Sequence, residues 1–139
     1  MPHDRRPETA NVSVLVVEPD LVFANLLCNW LDDLDAKVVL ARSAREAVHL
    51  LHDVAFIGCT LDAMLVAHNL QEATGCRIVS EFRFEYPWAP VAVMTEVEDI
   101  AVNVWAKSRD IQILRKPLQI KEISLWLGSV AVGTLAHPK

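Results

Sequence analysis

Val14-Leu15-Val16-Val17-Glu18-Pro19-Asp20 is a continuous apolar run that ends abruptly in acidic residues. A run without polar alternation suits a strand buried on both faces of a parallel sheet. The same design recurs downstream. Pro90-Val91-Ala92-Val93-Met94-Thr95-Glu96 closes on a hydroxyl, and Ile113-Leu114-Arg115-Lys116-Pro117-Leu118 closes on Lys-Pro. Between these runs the apolar spacing turns helical. Asp20 is placed to cap a helix with Leu21, Phe23, Ala24, Leu27, Cys28 and Leu31 on its apolar positions, ending near Leu34.

Lys37 to Ala41 reads as a second strand. Ser43 then caps a helix to about Leu51, with Glu46 at the capping-box position. Asp53-Val54-Ala55-Phe56-Ile57-Gly58-Cys59-Thr60-Leu61 holds the expected third strand, Val54 to Cys59. Gly75 to Tyr86 carries Ile78, Val79 and Phe82 at helical spacing and stops at Pro87. Pro90 to Met94, Glu98 to Ser108, Gln112 to Leu114 and Gln119 to Val130 complete five strand-helix alternations. The pattern predicts an α/β fold: a doubly wound, five-stranded parallel sheet with helices on both faces, in the flavodoxin-like order 2-1-3-4-5. Residues 1–11 are expected to form an N-terminal tail, 12–130 the domain and 131–139 a C-terminal tail too short for an effector domain.

These pieces resemble the receiver domain of bacterial response regulators over roughly Val12 to Gly128. The resemblance implies a site at the carboxyl ends of the strands. An acidic pair after the first strand would hold Mg²⁺, an aspartate after the third would accept a phosphoryl group, and a hydroxyl and a lysine would bind its oxygens. Glu18 matches the first acid, Thr95 the hydroxyl and Lys116 the lysine. Pro19 stands in place of the second acid. By the strand register above, Gly58 stands in place of the acceptor, because the family commonly has an acid five residues earlier and Asp53 is there. Neither Gly nor Pro offers a side-chain oxygen, so aspartyl-phosphate chemistry loses its nucleophile and part of its metal site. No cofactor and no enzymatic activity are therefore expected.

Glu18, Pro19, Gly58, Cys59, Thr95 and Lys116 are thus expected to line one degenerate pocket, with Glu18 and Lys116 as a structural ion pair. Pro117 is expected after a cis peptide, as the resemblance implies. Seventeen positions separate Gly58 from Gly75, where the family takes about eight, and the intervening 59–74 stretch is too apolar for a solvated loop, so it is expected to form an extra helical turn or a lid over the vacant site, since long loops in compact domains are usually functional. Two alternatives stay open. Asp62, or less readily Glu18, could be a relocated acceptor, or the vacated pocket with Thr95 and Lys116 could sense a small anion.

Partner binding is expected on the fourth helix, fifth strand and fifth helix, faces the family uses for association. Trp105 and Trp126 are the candidate anchors, because Trp buries much area at low entropic cost. Ile113 takes the position of the family's switch aromatic, and a β-branched aliphatic cannot make that swing. The expected partner is a histidine kinase, another regulator or a second copy.

Composition excludes other classes. With 139 residues, 53% of them hydrophobic, the chain is long enough for one core. A net charge of −5 argues against a phosphate-tracking surface, hence against direct nucleic-acid binding. No stretch is long and apolar enough to span a membrane, and no signal peptide is legible. Cys28, Cys59 and Cys76 lack metal or disulfide spacing, and His49 and His52 lack a third ligand, so no metal site is expected and a reducing cytoplasm suits the chain.

Overall fold

The computed structural model describes residues 12–56, 60–70 and 73–136. Five strands and five helices alternate: β1 (Ser13–Val17), α1 (Leu21–Asp33), β2 (Lys37–Ala41), α2 (Ala44–Phe56), β3 (Ala63–Ala67), α3 (Gly75–Glu85), β4 (Val91–Thr95), α4 (Ile100–Ser108), β5 (Gln112–Arg115) and α5 (Ile120–Ala136). All strand pairs are parallel and the sheet order is β2-β1-β3-β4-β5, as the alternation predicts. The tail expected over 1–11 lies outside the described residues. At the other end, α5 runs past the expected Val130 to Ala136.

Two apolar layers hold the sheet. Leu27 and Leu31 of α1 meet Ile123, Trp126, Leu127 and Val130 of α5 over Val14, Val16, Leu65 and Ala92. On the other face Ala47, Leu51, Ile78, Val79, Phe82 and Ala106 cover Leu15, Val17, Met64, Val66 and Val93. Every residue of β3 and β4 is buried, which explains why both read as unbroken apolar runs. Caps set the helix starts. The Asp20 carboxylate accepts the N–H groups of Val22 and Phe23, and Ser43 Oγ accepts that of Glu46, whose own carboxylate reaches back to the Arg42 N–H.

The third strand is a correction. Val54 to Phe56 belong to α2, and the strand that pairs with β1 and β4 is Ala63–Ala67. A short apolar run carries no period that separates strand from helix. Val54 and Ala55 fall three and four positions after Leu51, so they continue the helical spacing of Ala44, Ala47 and Leu51. Gly58 and Cys59 lie outside the described residues. Within the 59–74 stretch, residues 63–67 form β3 where an added helical turn or a lid was expected, and the connection from β3 to α3 spans 68–74.

Asp62 also moves. It stands at the amino end of β3, 8% exposed, with Oδ2 accepting the Ser13 N–H at 2.8 Å while its own N–H donates to the Ser13 carbonyl at 2.7 Å. The carboxylate fastens the first rung between β1 and β3. It is the length of β3, roughly 17 Å at about 3.3 Å per residue, from the carboxyl ends of the strands.

Candidate functional site

The carboxyl ends of four neighbouring strands carry Glu18 after β1, Ala67 at the end of β3, Thr95 at the end of β4 and Lys116 after β5. The register Val17↔Val66 and Ala67↔Met94 places them side by side, and the Lys116 N–H donates to the Thr95 carbonyl at 2.8 Å. Three of the expected residues are therefore brought together. The residue beside them at the end of β3 is Ala67, which the sequence reading missed.

Glu18 is 1% exposed. Its Oε1 accepts from the Lys116 ammonium at 3.0 Å, and Oε2 accepts the Asp20 N–H at 3.1 Å. The ammonium also lies 4.7 Å from the centroid of the Phe23 ring, which adds a cation–π contact. Lys116 thus has an anion and an aromatic face already against it. The Thr95 hydroxyl is turned into its own loop, donating to the Val97 carbonyl at 3.0 Å. The Lys116–Pro117 peptide is cis.

The chemistry of the donor set does not fit Mg²⁺. A hard cation needs several oxygens aimed at one point. Glu18 is committed to Lys116, Pro19 has no side-chain donor, Ala67 has none, and the Asp20 carboxylate caps α1. The half-buried Pro19 contributes only its carbonyl, which accepts from the Arg42 guanidinium at 3.5 Å.

The β3–α3 connection closes tightly on the site. At Gly75 a Cβ would stand 2.5 Å from the Ala67 carbonyl oxygen, so only glycine lets α3 begin there. The Gly75 N–H donates to the His68 carbonyl at 2.9 Å, and the His68 N–H donates to the Met94 carbonyl at 2.8 Å. Burial pushes the thiols of Cys28 and Cys76 above their ordinary range, which makes both poor nucleophiles.

The partner-binding candidates divide. Trp126 is 3% exposed and packs inside the α1/α5 layer, so it is a core residue and no surface anchor. Trp105 is half-buried at the edge of the opposite core, with the Arg109 guanidinium 5.5 Å from its ring. Ile113 packs against that same core. Beside them α4 exposes Ile100 and Val104.

No protein-family model matches the sequence, and no curated protein matches it. Solved structures do match. A response regulator receiver domain from Clostridium thermocellum superposes with a TM-score of 0.81 at 17% identity, covering 90% of this chain and 98% of that one. A CheY-like receiver domain protein from Methanospirillum hungatei gives 0.81 at 12% identity, with 91% and 98% covered. The chemotaxis protein CheY4 of Vibrio cholerae gives 0.76 at 21%, with 87% and 99% covered. With the strand order, the two helical layers and this likeness in hand, the chain has the fold of response-regulator receiver domains.

Proposed function

We propose that the chain is a pseudo-receiver: a phosphorylation-independent protein-interaction module of bacterial two-component signalling, without catalytic activity of its own. The observation that carries this reading is Ala67 at the end of β3, the strand end where the resemblance calls for an aspartate. A methyl group can neither attack a phosphodonor nor ligate a metal. The neighbouring Lys116–Glu18 pair supports the same reading, because the cation that would meet a phosphoryl oxygen already has a carboxylate at 3.0 Å. Binding needs complementary surface and no switch.

The partner is a histidine kinase, another regulator or a second copy, met in the cytoplasm by the edge of α4, β5 and α5. Trp105, with exposed Ile100 and Val104, supplies the apolar anchor there. An anion-sensing role is less favoured, since an anion would have to displace Glu18 from Lys116. Asp62 as acceptor is set aside by its place at the amino end of β3. The test is an amide NMR spectrum recorded with Mg²⁺ and beryllofluoride, a phosphoryl mimic. Unchanged α4 and β5 resonances are expected; a concerted shift across them would show a working phosphoryl switch and overturn the proposal.

A further inference from the structure

At the amino ends of β4 and β5, a strand length from Glu18, Thr95 and Lys116, a cavity of about 300 Å³ opens beside Val91 and Gln112. That volume lies within the range of small-molecule pockets. Two opposite charges line it and do not meet. Arg83 of α3 commits its guanidinium to backbone: Nη1 donates to the Arg109 carbonyl, and Nη2 to those of Ala89 and Asp110 at 3.3 and 3.5 Å. Its Nε is buried with no partner among the described residues. A guanidinium has five N–H donors, so these bonds leave it unsatisfied. Burial accordingly pushes Arg83 below its ordinary range, against the opposing pull of Asp110.

The exposed Asp110 carboxylate forms neither an ion pair nor a hydrogen bond with the described residues. The rest of the wall is aromatic and polar. Trp88 is 74% exposed and Trp126 is buried, and both indoles line the cavity. Gln112 and Ser129 add an amide and a hydroxyl.

We infer that this cavity binds a free α-amino acid with an apolar side chain. The ligand's carboxylate meets the Arg83 guanidinium and the Ser129 hydroxyl, its ammonium meets the Asp110 carboxylate, and its side chain lies against the two indoles. Charge selects a zwitterion. A simple anion would face Asp110 and a simple cation would face Arg83, whereas a ligand carrying both charges complements both walls. The site stands apart from the strand-end pocket and does not depend on whether that pocket is phosphorylated.

Amide NMR titration of the whole chain with L-phenylalanine and L-leucine tests this. Two analogues run alongside: 3-phenylpropionate, which lacks the ammonium, and phenethylamine, which lacks the carboxylate. At least one amino acid should move the resonances of Trp88, Asp110, Gln112 and Ser129. Each analogue should bind about tenfold more weakly than L-phenylalanine, the loss of one charged contact. Asp110 sits at φ 57°, a left-handed conformation that Asn adopts equally well, so Asp110→Asn keeps the turn. That variant should weaken amino-acid binding about tenfold, while 3-phenylpropionate binding holds or tightens. Trp88→Ala, at an exposed position, should weaken every probe. No shift with either amino acid at millimolar concentration, or analogues that bind as well, would overturn the inference. So would an Asp110→Asn variant of unchanged affinity, or shifts centred on Ala67 and Lys116.

Discussion

Removing the lysine from the strand-end site while leaving its glutamate isolates what the buried ion pair contributes. Glu18 and Lys116 meet at 3.0 Å with side-chain exposures of 2% and 18%. At that distance and an effective dielectric of about 20 the gross attraction is roughly 5 kcal/mol, offset by the desolvation of both groups. Lys116→Met deletes the attraction and leaves the Glu18 carboxylate buried, with the Asp20 N–H still donating to it. An uncompensated buried charge of this kind costs about 3–5 kcal/mol. Because Lys116 is partly exposed, water can replace some of its role, and the expected loss lies at the lower end, about 3 kcal/mol.

Adding Glu18→Gln to Lys116→Met removes the stranded charge and should recover most of that loss, leaving a deficit of about 1 kcal/mol. Urea unfolding followed by tryptophan fluorescence and by circular dichroism reads both values, provided the two probes coincide. A Lys116→Met loss below about 1 kcal/mol, or a double variant that is simply additive, would refute the view that the pair is locked and that Lys116 is unavailable to an anion.

Three further outcomes rest on the same geometry. Trp126→Ala should cost about 3–5 kcal/mol, because it empties a core position, and urea unfolding that finds under about 1 kcal/mol would return Trp126 to the surface. Gly75→Ala should destabilise the fold by more than the ~1 kcal/mol range of helix propensity, since its Cβ would meet the Ala67 carbonyl oxygen at 2.5 Å; a neutral or stabilising effect in the same assay would contradict the close approach. Asp62→Ala should cost about 1–3 kcal/mol by orphaning the Ser13 N–H, and should speed amide exchange at Ser13 selectively; unchanged exchange there would refute its role as the first rung of β1–β3.

Most of the fold was legible because its signals are local. Buried parallel strands are continuous apolar runs, and Asp20, Ser43 and Pro87 mark element ends by chemistry that acts within a few residues. The third strand was not, since Val54–Cys59 and Ala63–Ala67 are both short apolar runs and only pairing decides between them. Spacing held the answer all the same. An acid lies five residues before Ala67 as well as before Gly58, but only Ala67 lies eight residues before Gly75. Glu18, Thr95 and Lys116 were legible because each follows a strand that was read in register. The contact of Phe23 with Lys116, the burial of Trp126 and the close approach at Gly75 depend on where helices sit on the sheet, and no local pattern encodes that.

The central claim is that this receiver fold does not take up a phosphoryl group. Intact-protein mass spectrometry after incubation with acetyl phosphate or phosphoramidate and Mg²⁺ tests it most directly, with the Ala67→Asp/Pro19→Asp double variant run alongside to supply the missing carboxylates. An unmodified wild-type mass is predicted. A wild-type mass raised by one phosphoryl group would contradict the account, and Glu18→Gln would then show whether the glutamate had become the acceptor.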